Sequence, residues 1–325
     1  MKKVLDQLGA LGGKPLPTLS AKEARQQPTP ADAVKKVITS QGKSAKPEEV
    51  AKVEDRMIPG ANGQIPARIY TPEGQGPLPV VVYFHGGGWV IASTDVYDSS
   101  PRALANLSHA IFVSVDYRLA PENKFPAAHE DAFAAYQWVL ANAASFNGDP
   151  ARVAVAGESA GGNLAASVSL MARERKVQMP RHQLLVYPIA GYDFETASYQ
   201  ENAQAKPLDR PMMKWFFEQY LNSPADAKDP RISLVDADLK GLPETTLITA
   251  QIDPLRFEGQ LLGERLKKAG VRVEQKNFDG VTHEFFGMGA VVPEAKEAEQ
   301  LAGARLAKAL GSGDRRMGRK APRAR

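Results

Sequence analysis

From residue 80 onward, short β-favouring runs alternate with longer segments of helical spacing, and that alternation leaves few folds open to the chain. The runs are VVVYF (80–84), AIFVSVDY (110–117), RVAVAG (152–157), QLLVYP (183–188), TTLITAQ (245–251) and RVEQKNF (272–278). Segments between them, such as HEDAFAAYQWVLANAASF and FEGQLLGERLKKAG, carry apolar residues at helical intervals. Strand–helix–strand repeats close as right-handed crossovers and give a mostly parallel sheet with helices on both faces. The runs are almost continuously hydrophobic, as strands buried on both faces require. Ahead of them, KVEDRMIP and QIPARIYTP, divided by Gly60-Ala61-Asn62-Gly63, read as an antiparallel hairpin. The expected fold class is therefore α/β, with a mostly parallel, eight-stranded sheet.

Two stretches fall outside that rhythm. Residues 1 to about 50 are polar and broken near Pro15, Pro17, Pro28 and Pro30, with Val4, Leu5, Leu8 and Leu11 on one face of a short amphipathic helix. Between Pro188 and about Val235, nearly fifty residues contain no clear strand but include MMKWFFEQYL (212–221). So long an insertion in a compact α/β domain usually serves as a lid or cap. Residues 1–48 and 190–235 are expected to form a helical cap over the strand ends of an α/β domain built from 49–189 and 236–311.

The formal net charge of +4 belongs to the end of the chain. The last fifteen residues hold six Lys or Arg and one Asp, which leaves 35 basic and 36 acidic residues elsewhere. The body also lacks the stripe of basic and aromatic residues that nucleic-acid binding would need. Residues 312–325 read as a basic, solvated, disordered tail. With no cysteine there is no disulfide, thiolate metal site or thiol nucleophile. The five histidines lack metal-ligand spacing, so no metal is expected. No apolar run approaches the roughly 20 residues of a membrane-spanning helix. Asp6 interrupts the apolar core of any signal peptide, which favours a cytoplasmic location for the chain as given; secretion of a longer precursor stays open.

In a parallel sheet, ligands bind beyond the carboxyl ends of the strands. The segments just past those ends are His85-Gly86-Gly87-Gly88-Trp89, then Gly157-Glu158-Ser159-Ala160-Gly161, then Ile252-Asp253-Pro254, then Asp279-Gly280-Val281-Thr282-His283. Serine, aspartate and histidine on loops in that chain order suit nucleophile, acid and base on one hydrolytic scaffold. A serine hydroxyl is a weak nucleophile and needs an adjacent base, the role open to His283. Asp253 would hold the imidazole in the right tautomer and stabilise its charged form. Gly157 and Gly161 remove side chains that would obstruct a sharp strand-to-helix turn. The N–H of Ala160, at the start of a helix, and those of Gly86 and Gly87 would meet a developing oxyanion.

These blocks resemble the hormone-sensitive-lipase-like branch of the α/β-hydrolase fold, known as family IV of the bacterial esterases. HGGGW at 85–89, DYRLAPE at 116–122, GESAGGNLAA at 157–166, DPL at 253–255 and His283 match the family's blocks in order, over roughly residues 50 to 310. The helical N-terminus fits the family's cap. The resemblance implies a cofactor-free serine carboxylesterase that cleaves short- to medium-chain esters through an acyl-enzyme. It places Ser159, Asp253 and His283 in the triad and Gly86, Gly87 and Ala160 in the oxyanion hole. Two positions depart from the pattern: Glu158 stands where the family has Asp, and Phe257 where it often has an acidic residue.

Other readings stay open at this level. Asp193, five residues past QLLVYP, is an alternative acid, although it leads into the insertion. His85 is expected to brace its loop and Glu158 to support the serine turn. Asp116, Arg118 and Glu122 are expected to form a structural polar network. Trp89, Tyr192, Trp215, Phe216 and Phe217 would line an acyl pocket or else form the core of the cap. The same triad would serve an amidase or deacetylase, because the fold does not choose the bond. Receptors resembling this family replace the histidine that this chain keeps at position 283, which weighs against a non-catalytic small-molecule binder. The expected partner is a small-molecule ester, and the sequence is compatible with a homodimer.

Overall fold

The computed structural model describes residues 1–312, so the expected tail lies, from residue 313 on, outside the described residues. Its strands are β1 (Lys52–Pro59), β2 (Gln64–Thr71), β3 (Leu78–Phe84), β4 (Ile111–Val115), β5 (Gly148–Glu158), β6 (Gln183–Val186), β7 (Thr245–Ile252) and β8 (Val273–Thr282). They form one eight-stranded sheet in the order β1-β2-β4-β3-β5-β6-β7-β8. The hairpin partners β1 and β2 are antiparallel, β2 meets β4 antiparallel, and every other pairing is parallel. The expected fold class is the observed one.

The two faces of the sheet bury different helices. Val80, Val82, Val153 and Val155 pack toward α5 (Ala127–Asn142), α6 (Ala160–Glu174) and α9 (Arg256–Lys268). Val81, Tyr83, Ala154 and Ala156 pack toward α4 (Ser99–Ser108) and α10 (Pro293–Leu310). Successive side chains point to opposite faces of a strand and here both faces are covered, which is why β3 and β4 are buried at every position.

Register brings the chemistry-bearing loops to one edge. Phe84 lies opposite Gly157, Glu158 opposite Val186, Val186 opposite Ile248, and Ile252 opposite Thr282. The sequence places the end of the last strand near residue 278, but β8 runs on to Thr282. An irregularity in the pairing between Ala250 and Ile252 lets β7 and β8 continue together. Asp253 and His283 therefore leave adjacent strand ends side by side.

The N-terminal segment holds α1 (Lys2–Ala10), α2 (Ala21–Ala24) and α3 (Pro30–Ser40). Ser20 with Glu23, and Thr29 with Asp32, close reciprocal capping hydrogen bonds at the starts of α2 and α3. Arg25 fastens this segment to the body by donating to the carbonyls of Val90 and Ala120 and to the Glu122 carboxylate. The insertion after β6 contains α7 (Ala197–Glu201) and α8 (Arg210–Tyr220). His129 of α5 bridges the Tyr220 hydroxyl at 2.6 Å and Asn163 Oδ1 of α6 at 2.9 Å. Burial lowers the His129 pKa to about 4, so the imidazole is neutral and one ring nitrogen donates while the other accepts. Among the described residues no helix is long and apolar enough to cross a membrane.

Candidate active site

At the end of β5 the backbone turns sharply into α6, with Ser159 at φ 57° and ψ −119°. The two flanking glycines make this turn possible. A Cβ on Gly157 would lie 2.1 Å from the Gly161 carbonyl oxygen, and one on Gly161 would lie 1.9 Å from that of Phe84. No side chain fits at either position. The turn lifts the Ser159 hydroxyl clear of the sheet, where His283 Nε2 lies 2.9 Å from Oγ. His283 Nδ1 is 2.7 Å from Asp253 Oδ2. Asp253 is fully buried, and its other oxygen accepts the Leu255 N–H at 2.9 Å. Three residues predicted from separate loops thus form one hydrogen-bonded line.

Asp193, the alternative acid, is exposed and accepts the Glu195 N–H within its own turn, whereas the partner of His283 Nδ1 is Asp253. The Gly86–Gly87 loop runs beside the serine turn: a Cβ on Gly86 would lie 3.2 Å from the Glu158 carbonyl oxygen and 2.3 Å from the Tyr97 hydroxyl. Ala160 opens α6. Among the described residues no acceptor takes the N–H of Gly86, Gly87 or Ala160. His85 braces this loop: its Nδ1 lies 2.7 Å from the Gly86 carbonyl oxygen and its ring stacks on Tyr117 with centroids 4.4 Å apart.

Glu158 supports the turn from beneath. The Tyr83 and Tyr187 hydroxyls, from neighbouring strand ends, each donate to its carboxyl group at 2.5 Å. Burial raises its pKa to about 7 even though these hydrogen bonds, with one from Ser100, act the other way. Asp116, Arg118 and Glu122 form three separate contacts and not one network. Asp116 accepts from Thr94, Arg118 pairs with the buried Asp131, and Glu122 pairs with Arg25.

A cavity of about 420 Å³ rises from Ser159 and His283, walled by Leu5 and Leu8 of α1 and by Met213 and Phe216 of α8. Phe216 presses so closely on the loop that a Cβ on Gly88 would lie 2.3 Å from its ring. The other aromatic expectations need correction. Trp89 does not line the cavity; it is fully buried and stacks on Tyr220 with centroids 4.4 Å apart. Trp215 is buried in the hydrophobic core beneath α8, and Tyr192 packs edge-on against Phe194 and Phe217 on the surface of the insertion. Neither reaches the cavity wall. Glu284 and Tyr97 do reach it and escaped the sequence reading. The one available signal was the position of a glutamate directly after His283. Among the described residues no three His, Asp or Glu side chains are grouped as metal ligands would be.

The sequence profile of the α/β-hydrolase fold matches residues 81–287, more than half of the chain. The chain belongs to the α/β-hydrolase family, in its hormone-sensitive-lipase-like branch. It is 42% identical to carboxylesterase NlhH of Mycobacterium tuberculosis over 267 residues, 80% of this chain and 83% of that one. It is 33% identical to an ethyl acetate hydrolase of Pseudomonas putida, covering 90% and 92% of the two chains. A solved hyperthermophilic esterase from the archaeon Pyrobaculum calidifontis superposes with a TM-score of 0.85 at 40% identity, covering 94% of this chain and 96% of that one. This α/β hydrolase is a serine-dependent carboxylic ester hydrolase.

Proposed function

We propose that this esterase works through an acyl-enzyme on Ser159 and prefers short- to medium-chain acyl groups. The observation that carries the reading is the unbroken Asp253–His283–Ser159 line at the foot of an apolar cavity. Ser159 Oγ attacks the ester carbonyl while His283 Nε2 takes its proton, then returns it to the departing alkoxide. Asp253 keeps the proton on Nδ1 and so leaves Nε2 free to accept. The N–H groups of Gly86, Gly87 and Ala160 receive the charge that develops on the carbonyl oxygen. Residues 1–48 and 190–235 act as the cap, because both supply walls of the cavity above Ser159. The similarity to an ethyl acetate hydrolase supports a small acyl group.

Substrate preference is tested with p-nitrophenyl esters of increasing acyl length and a matching anilide. Turnover should peak among the shorter chains and spare the anilide; a peak at long chains would overturn the acyl preference. Cleavage of the anilide at a comparable rate would make this an amidase site as well.

The base also sets a pH dependence. Burial disfavours charge on His283, but the Asp253 carboxylate, by charge and hydrogen bond, outweighs it and raises the pKa. His283 must be neutral to accept the serine proton, so activity is lost as pH falls through that raised value. The acid limb of kcat/KM should therefore have its midpoint above the ordinary histidine value of about 6.5. A midpoint below it would show that desolvation and not Asp253 dominates.

A further inference from the structure

Glu284 follows His283 on a backbone with φ 68°, the left-handed region that favours glycine. That conformation turns its carboxylate back over the cavity, against the reacting atoms. Oε1 lies 3.7 Å from His283 Nε2, the same nitrogen that faces Ser159 Oγ at 2.9 Å. The Tyr97 hydroxyl holds the carboxylate, 2.7 Å from each oxygen. One hydroxyl proton uses little of the roughly four acceptor sites of a carboxylate. The side chain is 20% exposed, and it lines a cavity whose walls are mostly apolar, Leu5, Leu8, Met213 and Phe216 among them, with Arg25 and Lys206 also on its lining.

Hydrolysis of an acyl-enzyme makes particular demands of that corner. The attacking water must sit near the carbon bonded to Ser159 Oγ and donate one hydrogen to His283 Nε2. Its second O–H then needs an acceptor, and an apolar cavity leaves it unsatisfied at a cost. A water about 2.8 Å from both Nε2 and Glu284 Oε1 spans their 3.7 Å separation on the cavity side.

We propose that Glu284 orients the hydrolytic water, so that it serves deacylation and not acylation. The proposal rests on the reading of Ser159 as the acylated nucleophile. Water oxygen bonds to the acyl carbon as its proton passes to Nε2. The bond from carbon to Ser159 Oγ then breaks, that proton returns to Oγ, and the acid leaves. Glu284 takes no proton; it accepts a hydrogen bond from the O–H that stays on the product. In acylation the alcohol part of the ester occupies this place, and no second O–H calls for an acceptor.

The test is Glu284→Gln, followed by rapid mixing with p-nitrophenyl acetate on the alkaline plateau of activity, where His283 is neutral in both proteins. Tyr97 would hold the amide oxygen and leave the amide N–H₂ facing the water, which reverses the polarity offered to it. The burst of p-nitrophenol should keep its rate constant within about threefold of wild type. The steady-state rate should fall tenfold or more, and acetylated protein should accumulate in intact-mass spectra. Equal slowing of burst and steady state, or no change in either, would overturn the proposal. Tyr97→Phe decides if the first variant does not fold: it releases the carboxylate and should slow steady-state turnover but not the burst. Equal loss of both there also overturns it. Should Ser159→Ala keep turnover and never become acetylated, the reading of the nucleophile itself fails, separately from any role of Glu284.

Discussion

Ser159→Ala should lose ester turnover by on the order of 10⁶-fold in kcat, the scale seen when a triad loses its nucleophile. The size follows from the geometry around Oγ. His283 Nε2 is its hydrogen-bond partner at 2.9 Å, and Ser159 is 4% exposed. Among the described residues no other hydroxyl lies within hydrogen-bond distance of the His283 ring nitrogens. The loss should come without unfolding, because alanine keeps Cβ and gives up one hydrogen bond, worth about 1 kcal/mol. The sharp turn depends on Gly157 and Gly161, whose missing side chains leave room for backbone oxygens 2.1 and 1.9 Å from where a Cβ would stand. A kcat measurement on p-nitrophenyl acetate, paired with thermal unfolding, checks both halves. An alanine variant with near-normal turnover would remove Ser159 from the mechanism. An unfolded one would show that the hydroxyl supports the turn more than its contacts indicate.

Why this site could be read so far from sequence, and no further, lies in what local patterns encode. Strand periodicity locates the end of each strand, and a parallel sheet brings those ends to one edge. Ser159, Asp253 and His283 follow three such ends, so knowing the elements nearly suffices to bring them together. Side-chain partners from distant parts of the chain have no such signature. Tyr97 meets Glu284 across 187 residues, and Tyr83 and Tyr187 reach Glu158 from either side only because β5 lies between β3 and β6. Trp89 shows the converse failure. Its place after three glycines suggests a pocket wall, but at φ 60° its indole is carried to Tyr220 and His129. The aromatics of α8 look alike in sequence, and only the helix's orientation sets Phe216 on the cavity and Trp215 in the core. The strand at 273–282 outruns its β-rich sequence, because its last four residues, DGVT, contain no β-rich run. Pairing with β7 carries it onward.

Asp253→Asn should cost about 10⁴-fold in kcat, the size found in the serine-protease case from which the rule comes. The mechanism here can be traced atom by atom. Asp253 Oδ1 accepts the Leu255 N–H at 2.9 Å and Oδ2 lies 2.7 Å from His283 Nδ1. In the asparagine variant the amide oxygen keeps the Leu255 contact, so the amide N–H₂ is the group turned toward Nδ1. That donor requires Nδ1 to accept, which moves the neutral ring's proton to Nε2. Nε2 can then no longer take the proton of Ser159. The loss is one of tautomer and charge with little change of shape, so the variant should fold. Asp193→Asn is the matched control: that carboxylate is exposed and, among the described residues, hydrogen-bonds only within its own turn, so its rate should stay within about twofold of wild type, as surface changes usually do. Damage from Asp193→Asn with a mild effect of Asp253→Asn would reassign the acid and require His283 to turn away from the strand end that now positions it.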